Sequence, residues 1–401
     1  MFSSIKRTKS RKILFAILAL LSLLVGVACT RAPTRGWSGP TVNEDVLYVG
    51  TLDGKVIALT NVSGNSPTVH WEKDIGGSKG GGLFACGGGI SKPMSTYGTP
   101  AIAAGKVYIG GYDGHVYSFT TDEGSMNDFD TGSSIIGSPI VADDTLFVGN
   151  SDGDLYALSL NLTSQPKWVF KTGDKIWATP AVFNGVVYIG SSDHKLYAID
   201  AESGKEIWHF EAEGAFLSTP AIANDTIYIG ACDRKFYAID VATEEQREAA
   251  SSGTPAFSKD AKWVFDKARN WFWTQALVYD GKVWVGSLDK NVYAINENNG
   301  EGDIVRETKG VVQTPPVLMA SLNLILVGSE DGKIYAIDLQ AMDNSRELPF
   351  DFGAPILAPM YADQEKGILF FHAQDGDHTL YALKIEPDGK VEKLWEYRTD
   401  K

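Results

Sequence analysis

Val187-Tyr-Ile-Gly-Ser-Ser-Asp-His-Lys-Leu-Tyr-Ala-Ile-Asp-Ala-Glu-Ser-Gly-Lys-Glu-Ile-Trp208 holds the plan of the molecule. Its first eight residues recur, with variation, seven more times. The other copies begin at Leu47, Val107, Leu146, Ile227, Val283, Ile325 and Leu369, the last much altered. The Asp of each copy stands at 53, 113, 152, 193, 233, 289, 331 and 375. Five of the seven spacings fall between 39 and 44, and the other two, 60 and 56, mark insertions. A period near 40 built of short apolar runs indicates a repeat array rather than separate domains.

Each copy reads as an alternating β-branched and aromatic run, a turn, and a second run such as Leu196-Tyr-Ala-Ile199, which is strand chemistry. Asp-Gly at most of the turns supplies the positive φ of a tight hairpin. His194, Arg234 and Lys290 replace that Gly, so looser or strained turns are expected there. Upstream lies a Thr/Ser-Pro step (Thr99, Ser138, Thr179, Thr219) that opens a further short run. Downstream a Trp recurs at 71, 168, 208, 263 and 395. Four strands per repeat, A to D, repeated eight times, predict an all-β, eight-bladed β-propeller of four-stranded antiparallel blades. Strand A of blade 1 is expected at Trp37–Val42 and strand D of blade 8 at Val391–Arg398, so both end blades are contiguous in sequence.

Ala198-Ile-Asp-Ala-Glu-Ser-Gly-Lys-Glu-Ile-Trp208 resembles the tryptophan-docking motif of the quinoprotein (PQQ-type) propeller repeat family. The resemblance runs at repeat level from about residue 37 to 397. Only this copy carries the full motif. It implies a propeller whose docking Trp residues are structural, each indole filling the wedge between blades and giving its N–H to a backbone partner. In the dehydrogenases of the family, resemblance would also imply a longer chain, adjacent cysteines against the cofactor and a calcium site with a catalytic Asp. No adjacent Cys pair exists here. The chain is instead similar to the lipid-anchored, non-enzymatic members that serve outer-membrane protein assembly. That similarity implies a scaffold for envelope or membrane proteins, with no cofactor and no catalytic residue. A small-ligand-binding or PQQ-binding propeller is the alternative.

Residues 1–28 read as a lipoprotein signal peptide. Lys6, Arg7, Lys9, Arg11 and Lys12 precede an apolar run over 13–28, and Gly26-Val-Ala-Cys29 makes Cys29 the expected lipidation site. An apolar run of 16 residues is short for a membrane span. Residues 29–36 would form a short tether reaching about 25 Å, and 37–401 the propeller. The expected location is extracytoplasmic: the periplasmic face of an outer membrane, or the outer face of the cell membrane where there is only one. Loss of five positive and no negative charges would take the formal charge from −14 to −19. That acidity, with no basic stripe, excludes nucleic acid as a partner and suits a monomeric propeller with a solvated surface.

Several motifs yield to simpler explanations. Gly76-Gly-Ser-Lys-Gly80 fits a nucleophile-elbow pattern but lacks the strand and helix that chemistry needs. Asn150-Ser-Asp-Gly-Asp154 begins like a calcium loop without the distal Glu, and is read as a hairpin turn. His372 and His378, beside Asp375 and Asp377, are read as solvated turn residues, and no metal site is expected. Cys86 and Cys232 are expected as two separate thiols. Glu244–Lys262 is expected to form at most a helical turn and a mobile loop.

The residues before each Thr/Ser-Pro step should line the mouth of the central funnel. They include Tyr97, Ile135, Ile136, Ile176, Trp177, Phe216, Trp271, Phe272 and Trp273. Of these, Tyr97, Ile176, Trp177, Phe216, Trp271 and Trp273 form the candidate binding surface. The competing expectation is a plug, centred on the three aromatics of blade 6.

Overall fold

The computed structural model describes residues 38–75, 95–341, 346–374 and 379–399. Cys29, Trp37, the 76–80 motif, Cys86, Asp375, Asp377 and His378 lie outside them. Eight antiparallel sheets follow one another in sequence, each ordered A-B-C-D. In blade 1 these are Thr41–Asn43, Val46–Gly50, Lys55–Thr60 and Thr68–Asp74. In blade 8 they are Tyr361–Asp363, Ile368–Ala373, Thr379–Ile385 and Val391–Arg398. The eight-bladed propeller is therefore built blade by blade, and both end blades are contiguous as the repeat implied.

The core is distributed: each of the eight seams between neighbouring blades holds its own apolar cluster. Strands B and C alternate toward the two seams they face and are buried on both sides, which is why they carry near-continuous Val, Ile, Tyr and Leu. The ring closes through side chains. Leu47, Leu59 and Val62 of blade 1 pack with Phe370, Leu380 and Trp395 of blade 8. The Trp395 indole donates to the Val62 carbonyl at 2.8 Å, and Lys366 Nζ meets Ser63 Oγ at 2.7 Å.

Three other docking indoles, all but that of Trp208, work alike across their seams. Trp71 donates to Thr121 O at 3.2 Å, Trp168 to Ala201 O at 3.0 Å and Trp263 to Glu297 O at 3.0 Å. Blade 2 lacks the Trp, and Asn127 Nδ2 donates to Asn161 O at 2.8 Å in its place.

The turn residue Asp has a structural task. In blade 4, Asp193 accepts from the Tyr197 hydroxyl at 2.6 Å, from Lys195 N at 3.0 Å and from Gly173 N at 2.6 Å. Asp233 with Tyr237 and Asp331 with Tyr335 repeat the hydroxyl contact. Burial first, then the Asp partner, raises the phenols of Tyr197 and Tyr237 above their usual range. Where Gly is missing from the turn, His194, Arg234 and Lys290 hold φ of 74°, 71° and 73°, the strain the sequence led one to expect.

Two expectations need correction. Glu244–Ser251 is a helix, α1, of more than two turns, not a single turn. Thr243 and Gln246 form a reciprocal capping box at its start, and Ala250 is buried. The segment after it adds a fifth strand, Phe257–Ser258, parallel to strand D of blade 4 (Glu206–Glu211). The insertion from blade 5 thus folds onto blade 4. His372 is the second correction. It sits on strand B of blade 8 and is buried, because the altered repeat puts it where the other blades carry Gly.

Candidate functional site

The candidate residues lie on the loops that run from strand D of one blade to strand A of the next. Each loop crosses the B–C turn of its own blade and is pinned there by backbone bonds. Ile176 N donates to Asn150 O at 3.0 Å, Phe216 N to Ser191 O at 3.0 Å and Phe272 N to Ala231 O at 3.4 Å. The pinned side chain lies directly on the Gly that ends strand B. A Cβ on Gly149 would stand 2.1 Å from Ile176 Cγ2, and one on Gly190 or Gly230 would stand 2.5 or 2.1 Å from the Cβ of Phe216 or Phe272. The Gly of each Tyr-Ile-Gly phrase is therefore a seat for this loop, not a turn residue.

From the pinned residue the chain is extended, and its side chains alternate. Ile135, Ile176, Phe216 and Phe272 point into the blade seams and are fully buried. The residues after them, Ile136, Trp177, Leu217 and Trp273, line a central cavity of about 400 Å³ with Tyr97, Gln313 and Leu357. Two positions further on, Thr99, Ser138, Thr179, Thr219, Gln275 and Pro315 line the same cavity. The axis is thus walled by an aromatic and aliphatic ring followed by one rich in hydroxyls.

This alternation divides the six candidates. Tyr97, Trp177 and Trp273 share the cavity. Ile176 and Phe216 do not reach it and support the loops from beneath. Trp271 is 42% exposed and lies outside the cavity lining, its carbonyl accepting from Leu288 N at 2.9 Å. The blade 6 aromatics consequently do not crowd one space: Phe272 is core, Trp273 faces the axis and Trp271 faces solvent. The hydroxyl ring was missed in the sequence, although its signal, the repeated Thr/Ser-Pro step, was plain. A period of two from each buried residue would have found it.

Geometry fixes the walls. Trp177 donates through Nε1 to Ser151 Oγ at 3.3 Å. Tyr97 packs on Tyr112 with ring centroids 5.3 Å apart, and burial raises its phenol above the usual range, so the ring stays neutral. Ser138 Oγ accepts from Thr99 N at 2.8 Å, and Thr179 Oγ1 from Ser138 N at 2.9 Å. Among the described residues the lining holds no carboxylate, amine, guanidinium or imidazole. Among the described residues no group of three or more His, Cys, Asp or Glu could hold a metal ion. At 150–154, Asn150 Oδ1 accepts from Asp152 N and Asp154 N at 3.0 and 2.9 Å, which ties it into the hairpin. Cys232 is a free thiol whose burial, with Asp233 beside it, pushes its pKa up to about 11.

A family model described as outer membrane protein assembly factor BamB matches residues 28–168 and 161–258, more than half of the chain. This chain belongs to the BamB family. Its fold is similar to the crystal structure of BamB from Moraxella catarrhalis, with a TM-score of 0.61 at 16% identity, over 88% of this chain and 92% of that one. It is equally similar to a computationally designed protein, Ika8, with a TM-score of 0.64 at 15% identity, over 90% and 96% of the two chains. No curated protein matches by sequence. At 16% and 15% identity these superpositions report fold alone. The quinone for which PQQ repeats are named is a polycarboxylate, and the described residues lining the channel of this BamB-family chain offer it no cation. The residues present do not fit that cofactor.

Proposed function

We propose that this chain is a non-enzymatic scaffold of the cell envelope that takes part in the assembly of outer-membrane proteins. Membership of the BamB family carries this reading. The absence of charged side chains among the described residues of the channel lining supports it, since acid–base or nucleophilic chemistry requires suitable titratable groups within reach of a substrate. Residues 1–28 serve as the lipoprotein signal, Cys29 takes the lipid, and 29–36 tether the propeller to the periplasmic face of the outer membrane. The docking surface is the face that carries the D–A loops and B–C turns. Tyr97, Trp177 and Trp273 stand at its centre, Ile176 and Phe216 support it, and Trp271 is its most exposed aromatic among the described residues. A solvent-facing Trp on a pinned loop is the kind of anchor on which interface energy concentrates.

Purification of the acylated protein from its own membranes tests this. Outer-membrane assembly proteins should accompany it. Trp271→Ala should weaken their capture about tenfold or more without changing the melting temperature. Purification that brings no assembly protein overturns the reading. Cys29→Ala should release the chain from the membrane, and a variant that stays bound overturns the assigned anchor.

A further inference from the structure

We infer that the central channel binds a neutral saccharide of one or two rings. This goes beyond the scaffold reading and stands without it, because protein docking is assigned to the outer face and the saccharide to the axis.

The chemistry of the lining narrows the ligand step by step. No charged side chain among the described residues lines the cavity, so a bound anion or cation would lose hydration with nothing there to replace it. A wholly apolar ligand is disfavoured for the opposite reason, because the channel carries hydrogen-bonding groups not consumed by the fold. The Ser138 and Thr179 hydroxyls each accept a backbone N–H, which leaves each O–H proton available as a donor. Gln313 lines the cavity with no hydrogen bond from its amide, and Trp273 with none from its indole N–H, among the described residues. Covering these groups with hydrocarbon would strand them. Donors outnumber acceptors in this set, so the ligand should be richer in oxygen than in N–H groups. That separates a saccharide from a peptide, whose backbone brings the two in equal number. The walls add the other half of the match. Tyr97, Trp177 and Trp273 present three aromatic rings to one space, and a sugar ring has an apolar C–H face to lay on each. Two of these rings are fixed before any ligand arrives, Trp177 by Ser151 and Tyr97 by Tyr112, which lowers the ordering cost of binding. The cavity volume, about 400 Å³, lies at the small end of ligand sites and suits one or two rings.

The test is calorimetric titration of the full acylated chain in lipid nanodiscs, so that no sugar-headed detergent competes. The probes are N,N′-diacetylchitobiose and cellobiose, with digalacturonate as the anionic control and a blocked neutral dipeptide as the peptide control. The inference expects one-site saturation by a neutral disaccharide at millimolar or lower Kd, and none by digalacturonate. Trp273→Ala should weaken binding about tenfold or more, and Gln313→Ala about fivefold. Gln313 makes no side-chain hydrogen bond among the described residues, so its variant keeps the test valid if the Trp273 variant misfolds. Val169→Ala, at an exposed position on strand D of blade 3 (Trp168–Lys171), should bind as the parent does. The inference is overturned if neither neutral disaccharide saturates by about 10 mM, if Gln313→Ala and Trp273→Ala bind undiminished, or if the dipeptide saturates where the sugars do not. Capture of assembly proteins is scored separately on the same variants, so the saccharide site and the scaffold can fail independently.

Discussion

The seam between blades 3 and 4 and the seam between blades 4 and 5 begin from the same Trp and end differently. At the first, Trp168 is half-buried, and its indole donates to Ala201 in the C–D turn of the next blade. That turn needs Gly204, where a Cβ would sit 2.7 Å from the indole. At the second, Trp208 belongs to the one complete copy of the docking motif, yet its Nε1 has no partner. The turn it would have met is replaced by α1 and the added strand. Compensation comes from burial. Trp208 is fully enclosed, Lys259 Nζ lies 4.9 Å from its ring centroid and donates to Val241 O at 3.1 Å. Arg247 of α1 reaches the buried Asp200 carboxylate at 3.6 Å. A repeat seam can thus be held by one directed bond or by a lid that excludes water, and the motif in the sequence does not say which.

The comparison breaks most directly if the lid is removed. Replacing residues 244–258 with a short turn should destabilise the propeller by on the order of 4 kcal/mol, because it uncovers Trp208 and Ile207. An unchanged urea midpoint would show that the insertion is only an ornament. Trp208→Ala should cost about 3–5 kcal/mol, as for a core aromatic, whereas Trp168→Ala, at a half-buried site, should cost about 2 kcal/mol. Equal losses in urea titrations would dissolve the distinction between the two seams. Lys290→Gly, in a turn with φ of 73°, should raise stability by about 1 kcal/mol, and Arg234→Gly should do the same for the blade that carries the insertion. A melting temperature that falls in either variant would place the left-handed strain elsewhere.

The smallest effect concerns Cys232, in the B–C turn of that blade. Burial favours its neutral thiol, so its contribution to stability is present below the ordinary thiol range and is lost as pH rises toward about 11. Alkylation at pH 8, followed by peptide mapping, should run about 100-fold slower than for an unperturbed cysteine. A normal rate would mean that the turn is less tightly packed than its regular neighbours.

Much of this could be read before any coordinates. The Asp spacing gave the number of blades, the Trp positions gave most of the seams, and the missing Gly at 194, 234 and 290 gave the strained turns. The site was legible only in outline. Nine residues were expected at the funnel mouth as one group, but neighbours in an extended chain face opposite ways, so Ile176 and Trp177 part company at once. The capping box Thr243-x-x-Gln246 was visible and would have extended α1 beyond one turn. Nothing local to residues 255–259 pointed to blade 4.

The sequence by itself determined what depends on near neighbours along the chain: strand, turn, repeat period and the all-β ring. These follow from backbone preference and from a side-chain alternation of two. Only the tertiary structure decided what depends on residues tens of positions apart. It seated Ile176, Phe216 and Phe272 on the glycines of strand B, turned Trp177 and Trp273 to the axis beside Ser138 and Thr179, and folded the blade 5 insertion over Trp208. Those outcomes are set by which surfaces close packing brings together, and a repeat written in the same residues can fill the same seam in more than one way.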